Sequence, residues 1–179
     1  MYTIWHNPAR RYNCHKTGIT ILQHKHTKIL GLKDKRQISS VQSADYGSLE
    51  TVVTCMSPAG PFNPPLLVFP IKYMKQELMN GTPPGAIHVC HPCGWIQSEI
   101  FTQWLLHFIK RTKSTKQYLC ILVPDGHYPQ TRNLRVITLH RESHVDIICL
   151  PPNNSHKMQQ LDKAFMGSLK TFYSQEIKK

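Results

Sequence analysis

At 179 residues, with 40% apolar and 18% charged side chains, the chain is long enough for one domain with a real core and too apolar to be disordered by composition. Its 22 Lys and Arg against 10 Asp and Glu leave a formal charge of +12, which points to a polyanionic partner, nucleic acid before an anionic membrane. No apolar run approaches the ~20 residues of a membrane span, and the opening "MYTIWHNPARRYNC" lacks the apolar core of a signal peptide, so the composition reads as an intracellular protein with no membrane partner.

In chain order, "YNCHKTG" (12–18) is a short, partly apolar segment running into a polar turn that carries His15 and Lys16. Basic charge concentrates there: Arg10, Arg11, Lys16, Lys25, Lys28, Lys33, Lys35 and Arg36 lie in one stretch whose single acid is Asp34. "LETVVTCM" (49–56) and "LLVFP" (66–70) read as strands, with "AIHVC" (86–90) a weaker third. "SEIFTQWLLHFIKR" (98–111) has apolar residues at 100, 101, 104, 105, 108 and 109, one helical stripe with Ser98 as N-cap. A second basic cluster, Lys110, Arg111, Lys113 and Lys116, closes it.

"YLCILV" (118–123) is apolar on both faces, as a central strand would be. A helix is expected over 131–143, and then a buried strand over 145–150, stopped by Pro151 and Pro152. The last element would place Phe165, Leu169, Phe172 and Tyr173 on one helix face. Antiparallel strands first, then alternating helices and strands, give an α/β fold with a mixed sheet. The six cysteines are scattered, three in apolar strand-like runs, which reads as buried, reduced thiols and not a disulfide framework.

Three places bring polar residues to the ends of apolar elements: His15 and Lys16, then Asp125 after "YLCILVP", then Asp162 after "LPPNNSHKMQQL". Singly, each has a structural reading. Pro-Asp-Gly at 124–126 is a good turn, and Asp162 stands where an N-cap stands. Together, two acids from different strand–helix junctions on a basic chain suit Mg²⁺, which takes one or two carboxylates plus substrate phosphates. Two such ions about 3.5–4 Å apart can activate water and stabilise a leaving oxygen in phosphodiester cleavage.

Tyr12-Asn13-Cys14-His15-Lys16-Thr17-Gly18, then Asp125-Gly126-His127 with Asn133 following, then Leu150-Pro151-Pro152 and Ser155-His156-Lys157-Met158-Gln159-Gln160-Leu161-Asp162 occur in this order. From about residue 11 to the end the chain resembles the catalytic core of pogo-like DDE transposases, the endonuclease group that includes Jerky-type and centromere-protein-B-type domesticated genes. "HPCGWIQSEIF" is also similar to family sequence. The resemblance implies an RNase-H-like mixed sheet flanked by helices, a three-carboxylate site using Mg²⁺ or Mn²⁺, DNA as partner and the nucleus as its place. It leaves the oligomeric state open. Residues 1–179 would be one such domain, a fragment without the helix-turn-helix modules that usually precede the core. Carried over residue by residue, it makes Asp125 and Asp162 catalytic metal ligands. The basic residues above, with His127 and Lys157, become candidates for contacting DNA.

In the family's strand motif, Tyr-Asn-x-Asp-Glu-Thr-Gly, both acids are replaced here, by His15 and Lys16. An imidazole has one lone pair and does not bridge two metals, and its nitrogen suits Zn or Ni better than Mg. A Lys16 charge facing the site at ~5 Å would repel a dication by on the order of 6 kcal/mol at an effective dielectric of about 20. Residues 1–33 contain no Asp or Glu to substitute. Cleavage is therefore expected to be lost. Gln160, where the family usually has proline, and Pro129-Gln130, where Ser-His is typical, are further departures.

Other readings stand beside this one. "HVCHPC" holds His88, Cys90, His91 and Cys93, half of a zinc site, while His140 and His144 share a helix face. The domain could also be a domesticated DNA-binding or protein-interaction module, a residually active nuclease, or a decaying copy without a role.

Overall fold

The computed structural model describes residues 7–20, 49–124, 133–149 and 161–176, with the backbone alone at 20, 49, 162 and 163. Six strands form one sheet: β1 (Arg11–Thr20), β2 (Leu49–Met56), β3 (Phe62–Phe69), β4 (Ile87–Cys90), β5 (Cys120–Pro124) and β6 (Val145–Ile147), in the order β4-β3-β2-β1-β5-β6. β1, β2 and β3 run antiparallel to one another in turn. β4 is parallel to β3, and β5 and β6 continue parallel to β1. The expected mixed α/β sheet is therefore present. Helices α1 (Ser98–Thr112), α2 (Leu134–Glu142) and α3 (Gly167–Glu176) flank it.

The core lies between α1 and one face of the sheet. Phe101, Trp104, Leu105 and Phe108 of α1 are fully buried with Cys14, Val53, Leu66, Val68 and Leu122. Phe101 stacks on Trp104 at 5.5 Å between ring centroids, and Trp104 on Phe108 at 5.6 Å. Phe108 then meets Tyr12 of β1 edge-on at 5.1 Å. The i, i+3, i+4 stripe legible in the sequence is this aromatic column.

Several elements differ from the sequence reading. Residues 12–18 make no turn: β1 runs straight through them, because every residue from Asn13 to Thr20 pairs with β2. β3 begins at Phe62 and not at Leu66, and so includes Pro64 and Pro65. Prolines lack the N–H a ladder needs, but a bulge lets Val53 pair with Leu66 and Cys55 with Asn63, so the two prolines sit opposite Thr54 outside the regular register. Gln97, not Ser98, occupies the N-cap of α1, without a side-chain bond.

β6 is an edge strand of three residues with Asp146 exposed, not a buried strand to residue 150. The last element begins as a π-helical turn, Leu161–Met166, before α3. Leu161 and Met166 are buried and Phe172 is largely exposed, since Phe165, Leu169 and Tyr173 follow an i, i+4 line that Phe172 leaves. Cys14, Cys55 and Cys120 are buried free thiols, as expected, whereas Cys93 and Cys149 are exposed. Burial pushes the Cys55 thiol up, helped by its hydrogen bond with Cys14 directly opposite on β1.

Phe108→Ala removes the ring that joins α1 to β1 and should cost about 3–5 kcal/mol, lowering the melting temperature by about 10 °C in a domain of this size. A drop under about 3 °C in a thermal melt would show that the column does not carry the core.

Candidate functional site

β1 lies between β2 and β5, and its parallel register with β5 runs from Arg11↔Ile121 to Cys14↔Pro124. The next residue on β1 is His15 and the next in the chain after Pro124 is Asp125. The π-helical turn that contains Asp162 packs against β1. π-helical turns are rare and recur at functional sites. β5, up to Pro124, and the π-helical turn, two elements far apart in the chain, thus both adjoin β1. Asp125, His127, Lys157, Lys25, Lys28, Lys33, Lys35 and Arg36 lie outside the described residues, as does the side chain of Asp162.

Strand alternation decides what faces the site. Cys14 points into the α1 core. Asn13, His15 and Thr17 therefore line the opposite face, with Thr54 and Met56 as the cross-strand partners of His15 and Asn13. The π-helical turn covers this face: its Phe165 ring sits 5.1 Å from Phe62, which pairs with Met56. His15 is buried here, and its carbonyl accepts from Thr54 Oγ1 at 3.4 Å. Lys16 alternates to the α1 face, where its partner is the buried Val53. Lys16 therefore does not face the same side as His15, the arrangement for which full repulsion of a dication was expected.

The donors described on this face do not fit Mg²⁺ by themselves. At positions 13 and 15 they are Asn13 Oδ1, a buried oxygen with no hydrogen-bond partner among the described residues, and the His15 imidazole. Neither carries negative charge, and a hard dication is ordinarily held through carboxylates. No group of three His, Cys, Asp or Glu able to hold a metal occurs among the described residues.

Glu50 is an acid on the same face, overlooked in the sequence because it opens an apolar strand. Its partner Ile19 is four residues beyond His15, roughly 13 Å along a strand, too far to share an ion. Burial raises its carboxyl above the ordinary glutamate value, and its charge adds to the burial that raises the Tyr173 hydroxyl on α3.

Among the described residues the zinc reading finds no centre. Cys90 Sγ lies 3.7 Å from Met74 Sδ, whereas Cys93 Sγ lies 2.9 Å from His91 Nδ1. His140 Nδ1 is 3.0 Å from a backbone group, the Val145 carbonyl. Asn133 has a structural task that its position before an apolar run announces: its Oδ1 caps α2 by accepting from Arg135 N–H at 2.9 Å, and its Nδ2 donates to Ser98 Oγ at 2.6 Å. Arg10 also has a defined role. Its Nη1 donates to the Thr112 carbonyl at 2.8 Å and its Nη2 to the Tyr118 carbonyl at 2.5 Å. It precedes β1, before the strand reaches His15.

The family model described as "DDE superfamily endonuclease" matches residues 49–179. The chain belongs to the DDE superfamily endonucleases. The match starts at β2, so β1 and position 15 lie outside it. Among solved structures, this DDE chain is similar to the Mos1 strand transfer complex (TM-score 0.59, 11% identity, 92% of this chain and 41% of that one). It is also similar to a Mos1 mariner paired end complex with Mn (TM-score 0.57, 13% identity, 91% and 42%). At such identities the likeness shows the fold, which is the RNase-H-like one expected, and the chain spans under half the length of either. A curated relative, the MFS-type transporter clz9 of Cochliobolus lunatus, is 36% identical over 85 residues, 47% of this chain and 9% of that protein. Among the described residues no helix is long and apolar enough to cross a membrane.

The raised Glu50 carboxyl binds its proton more tightly folded than unfolded, so its stabilising contribution is present at low pH and lost as pH rises through the folded value. Glu50→Gln should match the parent near pH 4 and melt on the order of 1–2 °C higher near pH 7, a small effect because the group is half exposed. Equal melting temperatures at both pH values would contradict this.

Proposed function

We propose that this domain is a transposase-derived DNA-binding core that has lost metal-dependent cleavage and strand transfer. The observation that carries the reading is the place of His15: it is buried one residue past the end of the β1–β5 register, on the face that the π-helical turn covers. The family's first catalytic aspartate belongs there. The residue there is neutral, offers one nitrogen lone pair, and is a poor ligand for Mg²⁺ or Mn²⁺.

DNA as partner is supported by the family match to an endonuclease and by the charge of +12. The Mos1 structures similar in fold include a paired-end complex with left transposon end. Others are described as complexes with Mn and with Mg, which supports divalent metal as the family's ancestral requirement. Binding by such a core rests on phosphate contacts, which position a protein on the duplex and carry little sequence information.

The test uses purified protein and supercoiled plasmid. With Mg²⁺ or Mn²⁺ present, nicking should not exceed that of Asp125→Ala. Duplex affinity should fall about tenfold or more between about 50 and about 200 mM salt. Nicking that Asp125→Ala abolishes would overturn the loss of cleavage, and salt-independent affinity would overturn the phosphate contacts.

A further inference from the structure

The second basic cluster lies on a built platform. Lys110 and Arg111 are in the last turn of α1, Lys113 is its left-handed C-cap (φ 47), and Lys116 is in the turn that leads to β5. All four are exposed. Lys113 N–H bonds back to the Ile109 carbonyl at 3.0 Å, and Thr115 and Tyr118 exchange backbone bonds of 3.1 and 3.0 Å, closing the turn. The Arg10 guanidinium then joins the two pieces, with one arm on the Thr112 carbonyl and the other on the Tyr118 carbonyl. Ser114 Oγ donates to the Ser143 carbonyl at 2.6 Å, fixing the tip to the end of α2. A segment that could have been a loose lysine-rich loop is held from three sides.

The electrostatic setting is uniform. Residues 100–124 contain no acid. Glu142, exposed at the end of α2, is the acid nearest in the chain to the Ser143 contact. No ion pair engages the four cations among the described residues. The field is felt one turn back on α1, where burial and then Arg111 and Lys110 lower His107 below the ordinary histidine value. Tyr118 adds an aromatic ring that is 69% exposed.

The place of this tip in the fold matters. It precedes β5, whereas His15 lies one residue past the far end of the β1–β5 register, so the two lie at opposite ends of that strand pair. Five residues of strand separate them by roughly 16 Å, about five base-pair steps of duplex at ~3.4 Å each. A duplex lying along the sheet can therefore touch both.

We infer that the Arg10-stapled tip between α1 and β5 is a second phosphate-binding surface for duplex DNA, separate from the candidate site. It rests on the DNA reading above and adds a location and a set of cations to it. Arg10 acts here as a positioning residue, and Lys110, Lys113 and Lys116 bind the phosphates. Cations fixed in place suit a polyanion of fixed charge spacing, because less side-chain and loop freedom is given up on binding.

The experiment is fluorescence anisotropy with a labelled duplex of about 30 base pairs, from about 50 to about 200 mM salt, comparing the full chain with its Lys110→Gln/Lys113→Gln/Lys116→Gln variant. Neutralising three phosphate-binding lysines should make the slope of log affinity against log salt shallower by about 2–3, with the melting temperature unchanged. An unchanged slope and affinity in the variant would overturn this inference while leaving the DNA reading intact. A parent chain that fails to bind the duplex would overturn both. Loss of binding to anionic vesicles by the same variant, with duplex binding unaffected, would assign the tip to a membrane and also overturn it.

Discussion

The pairing of β1 between β2 and β5 is the constraint on which the rest of the structure depends. β1 takes hydrogen bonds from an antiparallel neighbour on one side and a parallel neighbour on the other. Its two faces then receive different environments. Cys14 is held against the aromatic column of α1, while Asn13, His15 and Thr17 look toward the π-helical turn before α3. A slip of one residue would exchange these sets and send His15 into the apolar core. The buried Cys14–Cys55 pair and the Tyr12–Phe108 contact oppose such a slip, because each requires its residue on the α1 side.

That constraint gives the chain two chemically distinct ends. At one end of the β1–β5 pairing lies His15, on the strand that the π-helical turn packs against. At the other, Arg10 gathers the carbonyls of the α1 terminus and the following turn and leaves four cations in solvent. The same strand pair therefore positions both His15 and the exposed cations of the tip. On the reading proposed above, a histidine in place of a carboxylate removes a metal ligand but makes the surroundings no less basic, so attraction to phosphate is expected to outlast cleavage.

Much of this was legible in the sequence, for physical reasons. The stripe at 100, 101, 104, 105 and 108 had no reading but a core helix, and Cys120–Leu122 read as a central strand because both of its faces are buried. Positions 15, 125 and 162 entered only as motif, and Asp125 and the Asp162 side chain lie outside the described residues; the pairing of β1 with β5 joins residues far apart in the chain, which no local pattern records. Local chemistry misled in three places. His15 and Lys16 looked like a turn because they are polar, but cross-strand bonds carry the strand through them. β3 looked like a strand starting at Leu66, but a bulge lets it take in Pro64 and Pro65 as well. Arg10 looked like one member of a basic run, but its guanidinium is bound to the α1 terminus and the turn before β5. Alternation along β1 could have separated Lys16 from His15 had the strand been recognised.

The central claim is that position 15 sits at an ancestral metal site and that histidine there is what disables it. Mn²⁺ titration followed by electron paramagnetic resonance, which reads the free ion directly, tests it in the intact chain. His15→Asp should bind Mn²⁺ about tenfold or more tightly than the parent, and adding Asp125→Ala should abolish the gain. A parent chain that already binds as tightly as His15→Asp, or a His15→Asp variant that gains nothing, would contradict the account.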